Sequence, residues 1–205
     1  MIAIVDYGVG NLYSLKCSLS AIDVDCTVTG NRSVLQNADS IILPGVGAFE
    51  DAIFKLREHG LDQVVVEEAK KGKPLMGICL GMQMFYETSY EYGTHEGLGL
   101  IAGSIGNMTD DVLGAGLKVP HMGWNDLIIE RESPLLENTC AGGFVYFVHS
   151  YYAPVSADTI ASAQYGPVSL TAALQRDNVF GTQFHPEKSG SVGLGILRAF
   201  AGIKA

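Results

Sequence analysis

The sequence predicts an α/β fold with a mostly parallel central sheet, flanking helices and additional antiparallel strands. Three observations predict it. From Met1 to Thr88, short apolar runs that end in glycine or proline turns alternate with helix-length segments, the pattern of β-turn-α units. The middle of the chain changes to a glycine-rich stretch followed by short strand-like runs. An apolar run, Val179–Phe184, then returns to the sheet, and a helix closes the chain.

The elements follow in order. Met1–Asp6 is an apolar strand ending at the turn Tyr7–Asn11. Leu12–Ile22 fits a helix and Asp23–Thr29 a second strand. Ser40–Leu43 is a third, closed by Pro44-Gly45-Val46-Gly47. Phe49–Lys71 reads as one helix, with apolar residues at Ile53, Leu56, Leu61, Val64 and Val65. Leu75–Ile78 is a buried strand, and Leu80–Thr88 reads as its helix. Gly97–Gly106 is glycine-rich. Short strands are expected near Leu127–Glu130, Phe144–His149, Thr159–Gln164 and Thr171–Gln175, and a last helix over Val192–Ala201. No repeat, low-complexity tract or linker divides the chain, so one domain over 1–205 is expected.

Composition narrows the function. With 205 residues, 47% hydrophobic and 17% charged, the chain has enough apolar material for a sizeable core. A net charge of −9 without a Lys or Arg cluster argues against nucleic-acid or anionic-membrane partners. Met1–Asp6 lacks the basic flank and cleavage site of a signal peptide, and no apolar run is long enough to span a bilayer. A cytoplasmic protein is expected. Cys17, Cys26, Cys79 and Cys140 are far apart, with no C-x-x-C and no histidine at zinc-finger spacing. Neither a disulfide framework, a metal site nor a cofactor is expected. Gly8-Val9-Gly10 has Tyr13 where a dinucleotide fingerprint needs a third glycine, and Pro44–Gly47 lacks the ending of a phosphate-binding loop.

The chemistry centres on Gly77-Ile78-Cys79-Leu80-Gly81, a nucleophile elbow with cysteine in place of serine. A tight strand-to-helix turn needs small neighbours and pushes the thiol out at the end of the sheet. The following helix aims its N-terminus at the sulfur, which favours the thiolate, and the Leu80 N–H is placed to donate to an oxyanion. The thiol needs a base. Gly181-Thr-Gln-Phe-His-Pro-Glu187 supplies His185 and Glu187 on either side of a stiffening proline. A carboxylate on one imidazole nitrogen orients the ring and leaves the other to face the thiol. Taken singly, Cys79 reads equally as a small core residue, His185 as a structural histidine and Glu187 as a solvated charge. Their conjunction makes a candidate catalytic triad.

With these motifs the chain resembles the class I, triad-type glutamine amidotransferases, a flavodoxin-like fold. Within them it resembles the amidotransferase subunits of imidazole glycerol phosphate synthase. The segments that carry the resemblance are Asp6–Leu12, Leu43–Phe49, Gly77–Gln83, Gly97–Ile101, Pro120–Asn125, Phe147–Tyr151 and Gln183–Ser189. The resemblance implies hydrolysis of glutamine to glutamate and ammonia through a thioester on Cys79, with His185 moving the proton and Glu187 orienting it. It implies Leu80 and Val46 as oxyanion donors, the latter after a peptide reorientation. It implies Gly47, Gln83, Glu91, Ser150 and Tyr151 as holders of glutamine. It further implies a heterodimer with a (β/α)8-barrel cyclase subunit, docked near Asn11, Met122, Trp124, Asn125 and Lys188, that receives the ammonia. Ser104–Asp111 is more acidic than the resemblance leads one to expect. Three rival readings stay open at this level. The chain could be a paralogue supplying ammonia for amidino-sugar formation, a cysteine hydrolase on a related elbow, or a catalytically silent regulatory module.

Overall fold

A computed structural model describes residues 1–204. In chain order its first elements are β1 (Ile2–Val5), α1 (Leu12–Ser20), β2 (Cys26–Thr29), α2 (Arg32–Asn37), β3 (Ser40–Gly45), α3 (Phe49–Glu58), α4 (Leu61–Lys70), β4 (Leu75–Cys79) and α5 (Leu80–Gln83). The middle holds β5 (Tyr86–Ser89), β6 (His95–Glu96), β7 (Ile101–Asn107), α6 (Thr109–Leu113), β8 (His121–Asp126) and β9 (Ile128–Ile129). The last part holds β10 (Phe144–His149), β11 (Tyr151–Tyr152), β12 (Thr159–Tyr165), β13 (Val168–Arg176), β14 (Val179–Thr182) and α7 (Gly190–Gly202).

The main sheet has the order β2-β1-β3-β4-β14-β13-β12-β9. Its first five strands are parallel and the remaining pairings antiparallel. The parallel part has the flavodoxin-type order, and in such sheets sites form at the carboxyl ends of the strands. The register pairs Gly45 with Cys79 and Thr182 with Ile78, so the ends of β3, β4 and β14 lie side by side.

The side-chain period of two sorts the parallel strands onto two faces. Ile2, Ile4, Ile42, Met76 and Ile78 pack with Leu15 and Leu19 of α1 and with Ile196, Leu197 and Phe200 of α7. Ala3, Val5, Ile41, Leu43 and Leu75 pack with Leu35 of α2 and with the apolar stripe of α3 and α4, including Phe49, Ile53, Leu56, Leu61 and Val65. Each such large side chain contributes about 1.5–3 kcal/mol when fully buried. Two smaller sheets sit beside this core. One runs β11-β7-β5-β6, and the other is the antiparallel ribbon β8–β10.

Four local features depart from the sequence reading. The helix expected over Phe49–Lys71 is two helices. Gly60 takes φ +59° between them, the left-handed stop that glycine adopts most easily. The helix after the elbow ends at Gln83 rather than Thr88. Tyr86 and Thr88, aromatic and β-branched, pair instead with Ile101 and Ser104 of β7, a tertiary partner that outweighs the local pattern. Helix α2 was not anticipated. Its start is fixed by Asn31, whose Oδ1 accepts from the Ser33 N–H at 2.9 Å and from that of Val34. Pro120–Asn125, recognised as a motif, is largely strand β8, with His121 turned inward and Met122 and Trp124 outward.

Candidate active site

Cys79 ends β4 with φ +54° and ψ −111°, a conformation few L residues adopt. Glycines make it possible. A Cβ on Gly81 would run into the Leu43 carbonyl oxygen. One on Gly77 would lie 2.6 Å from the Met82 backbone, and one on Gly45 would lie 2.7 Å from the Gly81 nitrogen. The ends of β3 and β4 and the first turn of α5 therefore pack backbone against backbone. With four residues, α5 offers its first-turn N–H groups, Leu80 foremost, rather than the dipole of a long helix.

His185 follows β14 and is held from both sides. Its N–H donates to the Tyr146 carbonyl at 3.0 Å. Ser189 Oγ donates to the His185 carbonyl at 2.6 Å and accepts from the Tyr146 N–H at 3.0 Å. The His185 Nδ1 lies 2.9 Å from Glu187 Oε1, with both side chains almost fully buried. Burial, the largest influence, disfavours the imidazolium. The Cys79 sulfur and then the Glu187 carboxylate overcome it, and the His185 pKa is pushed up to about 10. The facing sulfur and the buried carboxylate thus both favour the protonated ring.

A cavity of about 220 Å³ opens over the elbow. Val46, Gly47, Cys79, Leu80, Gln83, Glu91, Ser150, Tyr151 and His185 all line it, together with Val148 and His149. Every residue expected to bind glutamine or an oxyanion therefore borders one space. A larger cavity of about 550 Å³ lies at Ile129–Thr139 and contains none of them. Glu91 accepts from the Phe49 N–H at the start of α3, and burial raises its pKa despite that bond. Gln83 Nε2 donates to the Tyr151 carbonyl and to Gln183 Oε1, both at 2.9 Å. Gln183 Nε2 lies 3.7 Å from the Cys79 sulfur. Tyr7, buried beside β3, donates its hydroxyl to the Pro44 carbonyl at 2.8 Å and braces the Pro44–Gly47 strap.

At the cavity wall two histidines pair, with His121 Nδ1 at 3.0 Å from His149 Nε2. His149 Nδ1 lies 2.9 Å from the Tyr151 carbonyl, an obligatory acceptor, so that nitrogen carries the proton. His149 Nε2 then accepts from His121 Nδ1–H, and His121 Nε2 faces the Asn125 amide at 3.4 Å. Burial lowers the pKa of His121 to about 4. Burial and then its histidine neighbour lower that of His149 to about 3. Both rings are neutral.

Four of the five expected docking residues gather around the β8–β10 ribbon. Met122 and Trp124 are 62% and 55% exposed. Asn125 is half-buried and donates to the Gln164 carbonyl at 2.9 Å. Lys188 is exposed, its ammonium 5.8 Å from the Tyr146 ring centre, and Tyr146 meets Trp124 edge-on at 6.1 Å. Asn11 stands apart on the β1–α1 turn, where its Nδ2 donates to Glu187 Oε1 at 3.4 Å.

The family model described as glutamine amidotransferase class-I matches residues 3–201. The chain belongs to the class I glutamine amidotransferase family. The family placement agrees with the elbow and its buried His–Glu pair, and makes the chain an amidotransferase enzyme. Among curated relatives, "Imidazole glycerol phosphate synthase subunit HisH" of Oceanobacillus iheyensis is 50% identical over 202 residues, covering 98% of each chain. The protein of the same name in Bacillus licheniformis is 51% identical over 203 residues, covering 98% of this chain and 95% of its own. Among solved structures, "Structure of PurLQS from Thermotoga maritima" aligns with a TM-score of 0.74 at 22% identity, covering 97% of this chain and 96% of that one. At that identity the likeness speaks for the class I amidotransferase fold alone. Among the described residues no helix is long and apolar enough to cross a membrane.

Three residues with close contacts at this candidate site had no role in the sequence reading. Gln183 stands inside the Gln-Phe-His-Pro-Glu run, two residues before His185, and that spacing was its only signal. Tyr7 bonds to Pro44 and His149 to His121, partners distant in sequence that no local pattern marks.

Proposed function

We propose that this chain is the glutamine-hydrolysing subunit of an imidazole glycerol phosphate synthase in histidine biosynthesis. One observation carries the reading. The strained Cys79 elbow, the buried His185–Glu187 pair and the cavity of about 220 Å³ over the elbow occur together in a chain half identical to curated subunits of that enzyme.

In this reading the Cys79 sulfur attacks the side-chain amide carbon of glutamine. The developing oxyanion accepts from the Leu80 N–H, with the Val46 N–H as second donor once its peptide turns. Loss of one such donor raises a barrier by about 3–4 kcal/mol, enough to keep a subunit slow until a partner completes the hole. His185, holding the proton it took from the Cys79 thiol, gives it to the departing amine, and ammonia leaves a glutamyl thioester. The neutral ring then takes a proton from water as it attacks the thioester. Glutamate leaves and the sulfur is regenerated. Glu187 keeps the ring oriented throughout.

Gly47, Gln83, Glu91, Ser150 and Tyr151 hold the amino-acid end of glutamine. The two Gln83 amide hydrogens are engaged within the protein, so Gln83 offers its oxygen to the ligand. Glu91 has one oxygen on the Phe49 N–H and one left for an ammonium group. The partner is a (β/α)8-barrel cyclase that docks over Met122, Trp124, Asn125, Lys188 and Asn11. It passes ammonia to a phosphorylated ribulosyl intermediate, giving imidazole glycerol phosphate and aminoimidazole carboxamide ribotide. The assembly works in the cytoplasm. The test is Cys79→Ser in the assembled enzyme. Synthesis from glutamine is abolished while synthesis from added ammonia persists. Loss of both would remove Cys79 from the nucleophile's role.

A further inference from the structure

We propose that Gln183 is a positioning residue for the nucleophile, its amide N–H held on the Cys79 sulfur by an orientation that the Tyr151 carbonyl dictates through Gln83. A side-chain amide can bond in two opposite senses, and its neighbours decide which. The Tyr151 carbonyl can only accept, so Gln83 must turn its Nε2 towards it, at 2.9 Å. The same nitrogen then meets Gln183, which must answer with its oxygen, also at 2.9 Å. That leaves the Gln183 Nε2 directed at the Cys79 sulfur, 3.7 Å away. Gln183 is fully buried, and its backbone N–H donates to the Ala172 carbonyl at 2.8 Å, so neither end is free to drift.

The alternative sense would set the Gln183 oxygen against the sulfur lone pairs, and the series through Gln83 excludes it. The sulfur thus shares one cavity with His185 and meets, two positions earlier in the same segment, the Gln183 amide that points at it. A donor fixed in a low-dielectric site and aimed at the sulfur as it gains charge in attack is stronger than one in water. The Tyr151 carbonyl also receives the His149 Nδ1–H at 2.9 Å, so the ring pair at the cavity wall steadies the acceptor that sets the series.

The inference rests on Cys79 being the nucleophile, and the experiment separates the two. The intact chain is alkylated with iodoacetamide at neutral pH, and modification of the peptides bearing Cys17, Cys26, Cys79 and Cys140 is followed by mass spectrometry. If Cys79 reacts no faster than the exposed Cys17 and Cys140, the reading of the site itself fails. If Cys79 is the fastest, Gln183→Glu and Gln183→Met test the inference. Both slow its alkylation by about tenfold or more, as expected for a lost hydrogen bond to a charged group, with the glutamate the slower. The melting temperature, read in parallel, reports any merely structural effect. Gln83→Met is the control at a separate position. With the lock gone the Gln183 amide can turn, and Cys79 alkylation slows about threefold or more. Wild-type rates at Cys79 in folded Gln183 variants, or in Gln83→Met where the Gln183 variants do not fold, would overturn the proposal.

Discussion

Asn11 donates its side-chain amide to Glu187 Oε1 at 3.4 Å, the same oxygen that lies 2.9 Å from His185 Nδ1. One carboxylate oxygen thereby joins the β1–α1 turn, where a partner is expected to dock, to the imidazole of the candidate triad. At this length the bond contributes little by itself, about 1 kcal/mol. A second negative charge beside Glu187 would do more. Asn11→Ala is therefore expected to lower the rate of thioester formation a few-fold. Asn11→Asp is expected to lower it by at least a further tenfold, because the repelled Glu187 no longer holds the ring. Rapid-quench measurement of the first turnover in the assembled enzyme checks both, and equal effects would remove the charge argument.

The elbow glycines make a separate prediction about stability. Gly81→Ala forces a methyl group into the Leu43 carbonyl, with backbone rather than a flexible side chain as the obstacle. Denaturant unfolding is expected to show a loss of about 3 kcal/mol, the upper part of the usual overpacking range. Gly106→Ala is the control. It has nothing within 4 Å of an added Cβ and is expected to change stability by no more than about 0.5 kcal/mol.

The elbow was legible because its constraints are local. Gly77, Cys79 and Gly81 carry their meaning in spacing alone, as do the alternating apolar residues of the parallel strands. What stayed hidden depends on partners distant in the chain. The five residues after Gln83 look helical until β7 is available to Tyr86 and Thr88. The break at Gly60 was readable in principle, since one glycine in the left-handed region suffices, but the apolar stripe continues across it. His121 and His149 carry no local mark of each other in the sequence. Their pairing across the β8–β10 ribbon requires the antiparallel register that places them opposite each other.

That histidine pair predicts a dependence of stability on acid. Both pKa values lie below the ordinary 6.5, so below about pH 6.5 the unfolded chain binds protons that the folded one refuses. Stability is full above that pH and falls as pH drops towards 4, by up to about 1.4 kcal/mol per pH unit for each histidine. Unfolding midpoints at pH 7, 6 and 5 are expected to fall less steeply in His149→Gln than in the parent. Parallel slopes would contradict neutral burial.

His185 acts in the opposite sense. Its pKa is raised to about 10, so its contribution to stability is complete below pH 6.5 and disappears as pH rises through 10. His185→Asn is expected to flatten the alkaline loss of stability between pH 7 and 10 and to abolish the thioester burst. A normal burst would take the proton-transfer role from His185.

Trp124 projects from β8 with 55% of its surface exposed, and its ring meets Tyr146, whose neighbour is Lys188 beside the triad glutamate. Exposed tryptophans of this kind anchor interfaces. Trp124→Ala is expected to weaken binding to the cyclase at least tenfold in titration calorimetry while leaving the melting temperature of the isolated chain unchanged. Unchanged affinity would place the docking surface elsewhere.

The central claim is that this chain hydrolyses glutamine at Cys79 under the control of a partner. The most direct measurement is glutamate release from glutamine by the purified chain alone, with a barrel cyclase, and with the cyclase plus its ribulosyl ligand. The account predicts slow release alone, strong stimulation when both cyclase and ligand are present, and none in any condition with Cys79→Ser. Full activity from the isolated chain, or activity that survives Cys79→Ser, would contradict it.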